Sequence, residues 1–180
     1  EEYMRAEVLP TNSFNDLVAD LFIVASQLNH SKKAIFGPAG RLKKNPENYL
    51  SLADVRISQA CAASVALPLI FSPYVLEART ERGSEKLVFI DGEIRDTLST
   101  HVATDAGADL VFASYTHQPY HYRKEIGSLS QLGLPAILTQ AAYLLVEEKI
   151  QHHIRTERSH RAALDAVLKF CRQNGISGEK

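Results

Sequence analysis

The sequence predicts an α/β protein of three layers, with helices on both faces of a largely parallel sheet. Apolar runs of strand length recur at residues 21–25, 34–36, 87–90 and 109–115. Stretches rich in small and apolar residues separate them at helical spacing, and strands alternating with helices are the pattern of a sheet covered on both sides. The 180 residues are 45% hydrophobic, enough for one domain with a real core or a large part of a bigger one.

Taken in order, residues 1–20 read as a helix end and a short second helix around the break at Pro10-Thr11-Asn12. Residues 21–25 and 34–36, joined by a polar turn, read as a β-hairpin with one buried member. Residues 41–48, with Gly37, Pro38, Gly40 and Pro46 around them, read as an exposed basic loop. Residues 52–63 suit a buried helix, with Asp54 placed to favour its dipole. Pro68 and Pro73 forbid regular helix between them, leaving an ordered apolar loop. Leu87-Val88-Phe89-Ile90 is a buried strand, residues 97–106 a short helix, and residues 109–115 a further strand. From Ser128 to Cys171 the chain is helical, interrupted at Gly133-Leu134-Pro135 and at a polar break near Ser159. Two regions follow from this reading: residues 1–122, and a helical extension over 123–180 that packs on them.

Composition narrows the function. Twenty basic and 21 acidic residues leave a formal net charge of −1, without the basic excess that draws a chain onto nucleic acid. Cys61 and Cys171, far apart in helical stretches, support neither a disulfide framework nor a paired-cysteine metal site, and two free core thiols favour a reducing compartment. The longest apolar stretches are too short or too broken by proline to span a bilayer. The opening Glu-Glu-Tyr-Met-Arg, with Met4 internal, reads as a start other than the natural one.

The segment richest in chemistry is Lys86-Leu87-Val88-Phe89-Ile90-Asp91-Gly92, an apolar strand that delivers a carboxylate at its carboxyl end. Ligands of open α/β sheets bind outside those ends, and glycine permits a sharp departure beside the acid. The plainer reading of Asp91-Gly92 alone is an ordinary turn.

Three stretches nevertheless occur in the order seen in patatin-like phospholipases. Residues 21–37 resemble that family's strand-turn-strand. Residues 57–73, with Ala60-Cys61-Ala62-Ala63-Ser64-Val65-Ala66-Leu67-Pro68-Leu69-Ile70-Phe71-Ser72-Pro73, are similar to its Ala-Ser-x-Ala-Ile-Pro-x-x-Phe-Pro-Pro segment. Asp91-Gly92-Glu93 stands where the family has Asp-Gly-Gly or Asp-Gly-Ala, and Gly107-Ala108-Asp109 resembles its Gly-Ala-Asp. The likeness covers roughly residues 1–115 and rests on the ordered combination. Departures accompany it: Glu93 replaces a small residue, Ser26-Gln27 replaces Thr-Asp, and residues 96–99 differ from the usual Asn-Asn-x-Pro. The 180 residues contain no Gly-x-Ser-x-Gly nucleophile elbow and no glycine-rich run for an oxyanion hole.

The resemblance implies a serine–aspartate dyad that cleaves acyl esters of lipids or phospholipids. Asp91 is the base, an upstream half of the same domain supplies the serine, and this chain alone is inactive. Gly92, Glu93, Pro68 and Phe71 then neighbour the substrate. It implies no cofactor and no metal, an acyl-ester lipid as ligand, contact with a membrane surface, and a cytoplasmic or peripheral membrane location. The rival reading is a non-catalytic patatin-fold module for binding or oligomerisation, for which Glu93 and the missing elbow speak.

Other residues invite chemistry less strongly. His152, His153 and His160 lie among arginines and read as a solvated helix surface rather than metal ligands. His101 and His117 flank the Asp91 region and read as structural or helix-end histidines. Lys32, Lys33, Arg41, Lys43 and Lys44 read as solvated loop charge, and Ala142, Leu145, Val146 and Ile150 as a helix face packed on the sheet.

Overall fold

A computed structural model describes residues 1–30, 32–41, 49–80, 83–95, 97–116 and 119–175. The chain divides into two compact units, Glu1–Thr116 and His117–Lys180. The first holds a five-stranded sheet of β1 (Ile23–Gln27), β2 (Lys33–Phe36), β3 (Tyr49–Leu52), β4 (Tyr74–Thr80) and β5 (Gly83–Asp91), with α1 (Ile57–Ser64) and α2 (Thr100–Asp105). The second holds α3 (Leu134–Gln173).

The class is mixed α and β, but the sheet departs from the parallel expectation. Its order is β3-β2-β1-β5-β4, and of the pairings among the described residues only β2 with β3 is parallel. Connection length explains the difference. A parallel pair needs a crossover of a dozen or more residues, whereas short connections join β1 to β2 and β4 to β5, so each folds back as an antiparallel hairpin.

Side chains alternate across the sheet with the period of two that strands impose. On one face Ala25, Ala34, Phe36, Leu52, Leu76, Ala78, Leu87 and Phe89 form the main core with Ile57, Ala60 and Ala63 of α1. Phe36 and Phe89 meet edge-to-face with centroids 5.5 Å apart, the geometry that aromatic quadrupoles prefer. On the other face Ile35 and Tyr49 pack with Val102 of α2, joined by the partly buried Phe22 and Val24.

Several expectations are corrected here. The helix expected over 52–63 begins at Ile57, because Leu52 closes β3; Asp54 therefore precedes the helix. Its amino end is held by Asn12, whose backbone carbonyl accepts from Ile57 N–H and whose Oδ1 accepts from Ser58 N–H at 2.8 Å. Residues 109–115 form no strand, and Leu110 and Phe112 are 71% and 90% exposed. An apolar run becomes a strand only where a sheet edge and a core face receive it.

Residues 1–20 carry one π-helical turn, Met4–Val8, and a 3₁₀ turn, Phe14–Asp16. The exposed loop read at 41–48 lies outside the described residues apart from Arg41, which pairs with Asp20 at 3.2 Å. Cys61 and Cys171 are free and partly buried, and Cys61 packs against the main core.

In the second unit a 3₁₀ turn, Leu129–Leu132, precedes Gly133, whose φ of 82° a side chain would resist. Helix then runs unbroken through Ser159, since one serine costs a long helix a few tenths of a kcal/mol, about what its neighbours' propensities return. Ahead of it, Tyr120 N–H donates to Gln140 Oε1, and Tyr120 Oη donates to the Gly127 carbonyl. Ile150 is buried and Val146 partly so, whereas Ala142, Leu144 and Leu145 are exposed.

Candidate functional site

Asp91 closes β5, and three elements fix its position. Its Cα is paired with Ala25 of β1, which places its side chain on the α1 side of the sheet together with Phe89. Its backbone N–H donates to the Ala66 carbonyl at 3.0 Å, so the segment leaving α1 is tied to the end of β5. Its carboxylate Oδ1 accepts from Glu93 N–H at 2.8 Å. The side chain is partly buried, and that burial holds the carboxyl above the usual aspartate range, with the Glu93 amide pulling the other way.

Gly92 is required for a reason the dipeptide does not reveal. Its φ lies outside the left-handed region, so a turn conformation is not what demands glycine. Instead a Cβ there would stand 2.5 Å from the Val24 carbonyl oxygen and 2.9 Å from its carbon. The chain after Asp91 runs against the β1 backbone, and only hydrogen fits between them. A short 3₁₀ turn, Gly92–Ile94, follows and supplies the amide that Asp91 accepts.

The remaining site candidates are placed less centrally. Glu93 is exposed, and its backbone N–H serves Asp91. Pro68 and Phe71 sit in the loop beyond Ala66, which turns through hydrogen bonds from Ile70 N–H and Phe71 N–H to the Leu67 carbonyl, with Leu69 at φ 76°. The structure brings the backbone of this loop to Asp91, but the side chains of Pro68 and Phe71 are exposed.

His101 lies elsewhere. Its Nε2 meets Lys33 Nζ at 2.7 Å, and Lys33 is paired with Ser26 on the sheet face that α2 covers, opposite the Asp91 side chain. Lys33 is thus a buried strand residue, not solvated loop charge. His117, Lys43 and Lys44 lie outside the described residues. His152 and His160 are exposed on α3 and His153 partly so; among the described residues no three His, Cys, Asp or Glu side chains gather as a metal site.

Sequence reasoning missed β3, β4 and the tie between Ala66 and Asp91. A signal for β4 was present: in Tyr74-Val75-Leu76-Glu77-Ala78, Leu76 and Ala78 are buried and Val75 and Glu77 exposed, an alternation of two after a proline. The Ala66 carbonyl has no sequence signal, since any residue carries one. No protein-family model matches the chain, and no curated protein matches it. Among the described residues no helix is long and apolar enough to cross a membrane.

Proposed function

We propose that this chain supplies the aspartate of a serine–aspartate dyad in a patatin-like acyl-ester hydrolase acting on lipids, with Asp91 as the proton acceptor. The observation that carries the reading is the state of Asp91. It is a partly buried carboxylate of raised proton affinity at the end of a strand, held by one amide and backed by a sealed glycine. Water-exposed aspartate is too weak a base to assist a hydroxyl, and burial moves its affinity in the direction that such assistance needs.

The nucleophilic serine in this reading comes from outside the 180 residues, on a longer form of the polypeptide or a second one, with backbone N–H groups there holding the oxyanion. The three-layer patatin arrangement belongs to that whole assembly. A second reading is favoured by the mostly antiparallel sheet: the unit is a non-catalytic module for binding or oligomerisation. A fluorophosphonate probe together with a short-chain ester separates them. The 180-residue chain is expected to take no label and turn over no ester, while the form extended upstream of Glu1 labels stoichiometrically on a serine of the added segment. Labelling of a serine within residues 1–180, or an extended form that neither labels nor turns over, contradicts the proposal.

A further inference from the structure

The sheet face opposite Asp91 carries a buried polar row. Ser26, Lys33 and Tyr49 are in register across β1, β2 and β3 and are respectively 5%, 8% and 5% exposed; Tyr49 packs with Val102 of α2, and Lys33 meets its His101. That helix is short, six residues, and Val102 is its only fully buried side chain. The backbone leading into it is disfavoured as well: Leu98 and Ser99 have φ of 66° and 40°, a region that side chains resist. On the same sheet face Ser26 Oγ is buried and accepts or donates no hydrogen bond among the described residues, a cost to the fold.

What draws α2 down includes the 2.7 Å contact between Lys33 Nζ and His101 Nε2. At that distance one nitrogen gives a hydrogen and the other a lone pair. An ammonium has only hydrogens to give, so while Lys33 is charged the imidazole must be neutral at Nε2 and carry its proton on Nδ1. Burial first, then the charge of Arg95, pushes Lys33 down to about 8, with Asp105 pulling back, so near neutral pH the lysine is still mostly the cation. Among the described residues Tyr49, whose phenol burial and Asp105 keep protonated, and Arg95, a permanent cation, also stand near the pair.

We propose that the Lys33–His101 contact is an acid-released latch that holds α2 against the sheet. Protonation of His101 removes the lone pair that the contact needs. It also adds a cation beside Lys33 and Arg95. The closed form therefore binds this proton less readily than the open form, and closure is lost as pH falls through the ordinary histidine range. The latch is independent of the hydrolase reading and stands or falls without it.

Amide hydrogen exchange on the whole chain tests it, because the Val102 N–H bonded to Ser99 and the Ala106 N–H bonded to Val102 report α2 directly. Corrected for intrinsic rates, their protection is expected to fall by up to about tenfold per pH unit below about pH 6.5, the slope of one linked proton. The Phe89 amide in β5 keeps its protection over the same range. His101→Gln, which places a neutral acceptor near Nε2, and Lys33→Met, which removes the second cation, each flatten the α2 profile. A wild-type profile flat from pH 8 to 5, an acid loss unchanged in both variants, or equal loss at Phe89 overturns the latch.

Discussion

At the scale of single residues, Asp91 was legible and Lys33 was not. A carboxylate at the end of a Leu-Val-Phe-Ile run is visible because the run must be a strand and the strand must end there. Lys33 belongs to a string of polar residues, and only the register with Ser26 and Tyr49 reveals that it is inside. The raised affinity of Asp91 has a consequence for stability. Between the unfolded value near 3.8 and the higher folded one, the folded chain holds more protons than the unfolded chain, so stability falls as pH rises through that window. At pH 7 the ionised, partly buried carboxylate is a net cost. Asp91→Asn keeps an oxygen for the Glu93 amide and is expected to melt no lower than the parent at pH 7, with any gain vanishing by about pH 3. A variant that melts well below the parent at pH 7 contradicts the assigned direction.

At the scale of elements, runs that are apolar throughout were read correctly as β1, β2 and the end of β5. Half-exposed β4 and short β3 were missed, because tertiary pairing rather than local composition makes them strands. The same physics misled in the other direction at residues 109–115, where Leu110, Phe112 and Tyr115 remain exposed. The β5–β1 junction gives the sharpest mechanical test. Gly92→Ala would drive a methyl into the Val24 carbonyl, and since backbone atoms yield poorly the expected loss is about 1–3 kcal/mol or more, read from chemical denaturation. Gly107→Ala is a useful contrast, because a Cβ there meets nothing within 4 Å and only the φ of 97° opposes it. If Gly92→Ala is as stable as the parent, the close approach that seats Asp91 is wrong.

At the scale of the whole molecule, the class was legible and the topology was not. Alternating apolar runs and helical stretches announce α/β content, but strand direction depends on connections, and two of those are too short to cross over. A parallel sheet lacking upstream strands would leave its faces bare. The observed sheet instead has an apolar cluster on each face, both drawn from residues before Thr116. A chain ended at Thr116 is accordingly expected to show one cooperative thermal transition and the same raised Asp91 titration. A broad, non-cooperative melt would show that the first unit does not stand alone. The candidate site is legible only as far as its acid, since neither its loop tie nor any nucleophile can be read from these residues. The central claim is that this acid is the base of an ester hydrolase, and kcat in the catalytically complete form measures it directly. Asp91→Asn is expected to lose about a hundredfold to ten-thousandfold in kcat, the usual cost of removing a general base, while Glu93→Gln, the neighbouring exposed carboxylate, stays near the parent. Near-normal kcat in Asp91→Asn would contradict the account, whatever Glu93→Gln does.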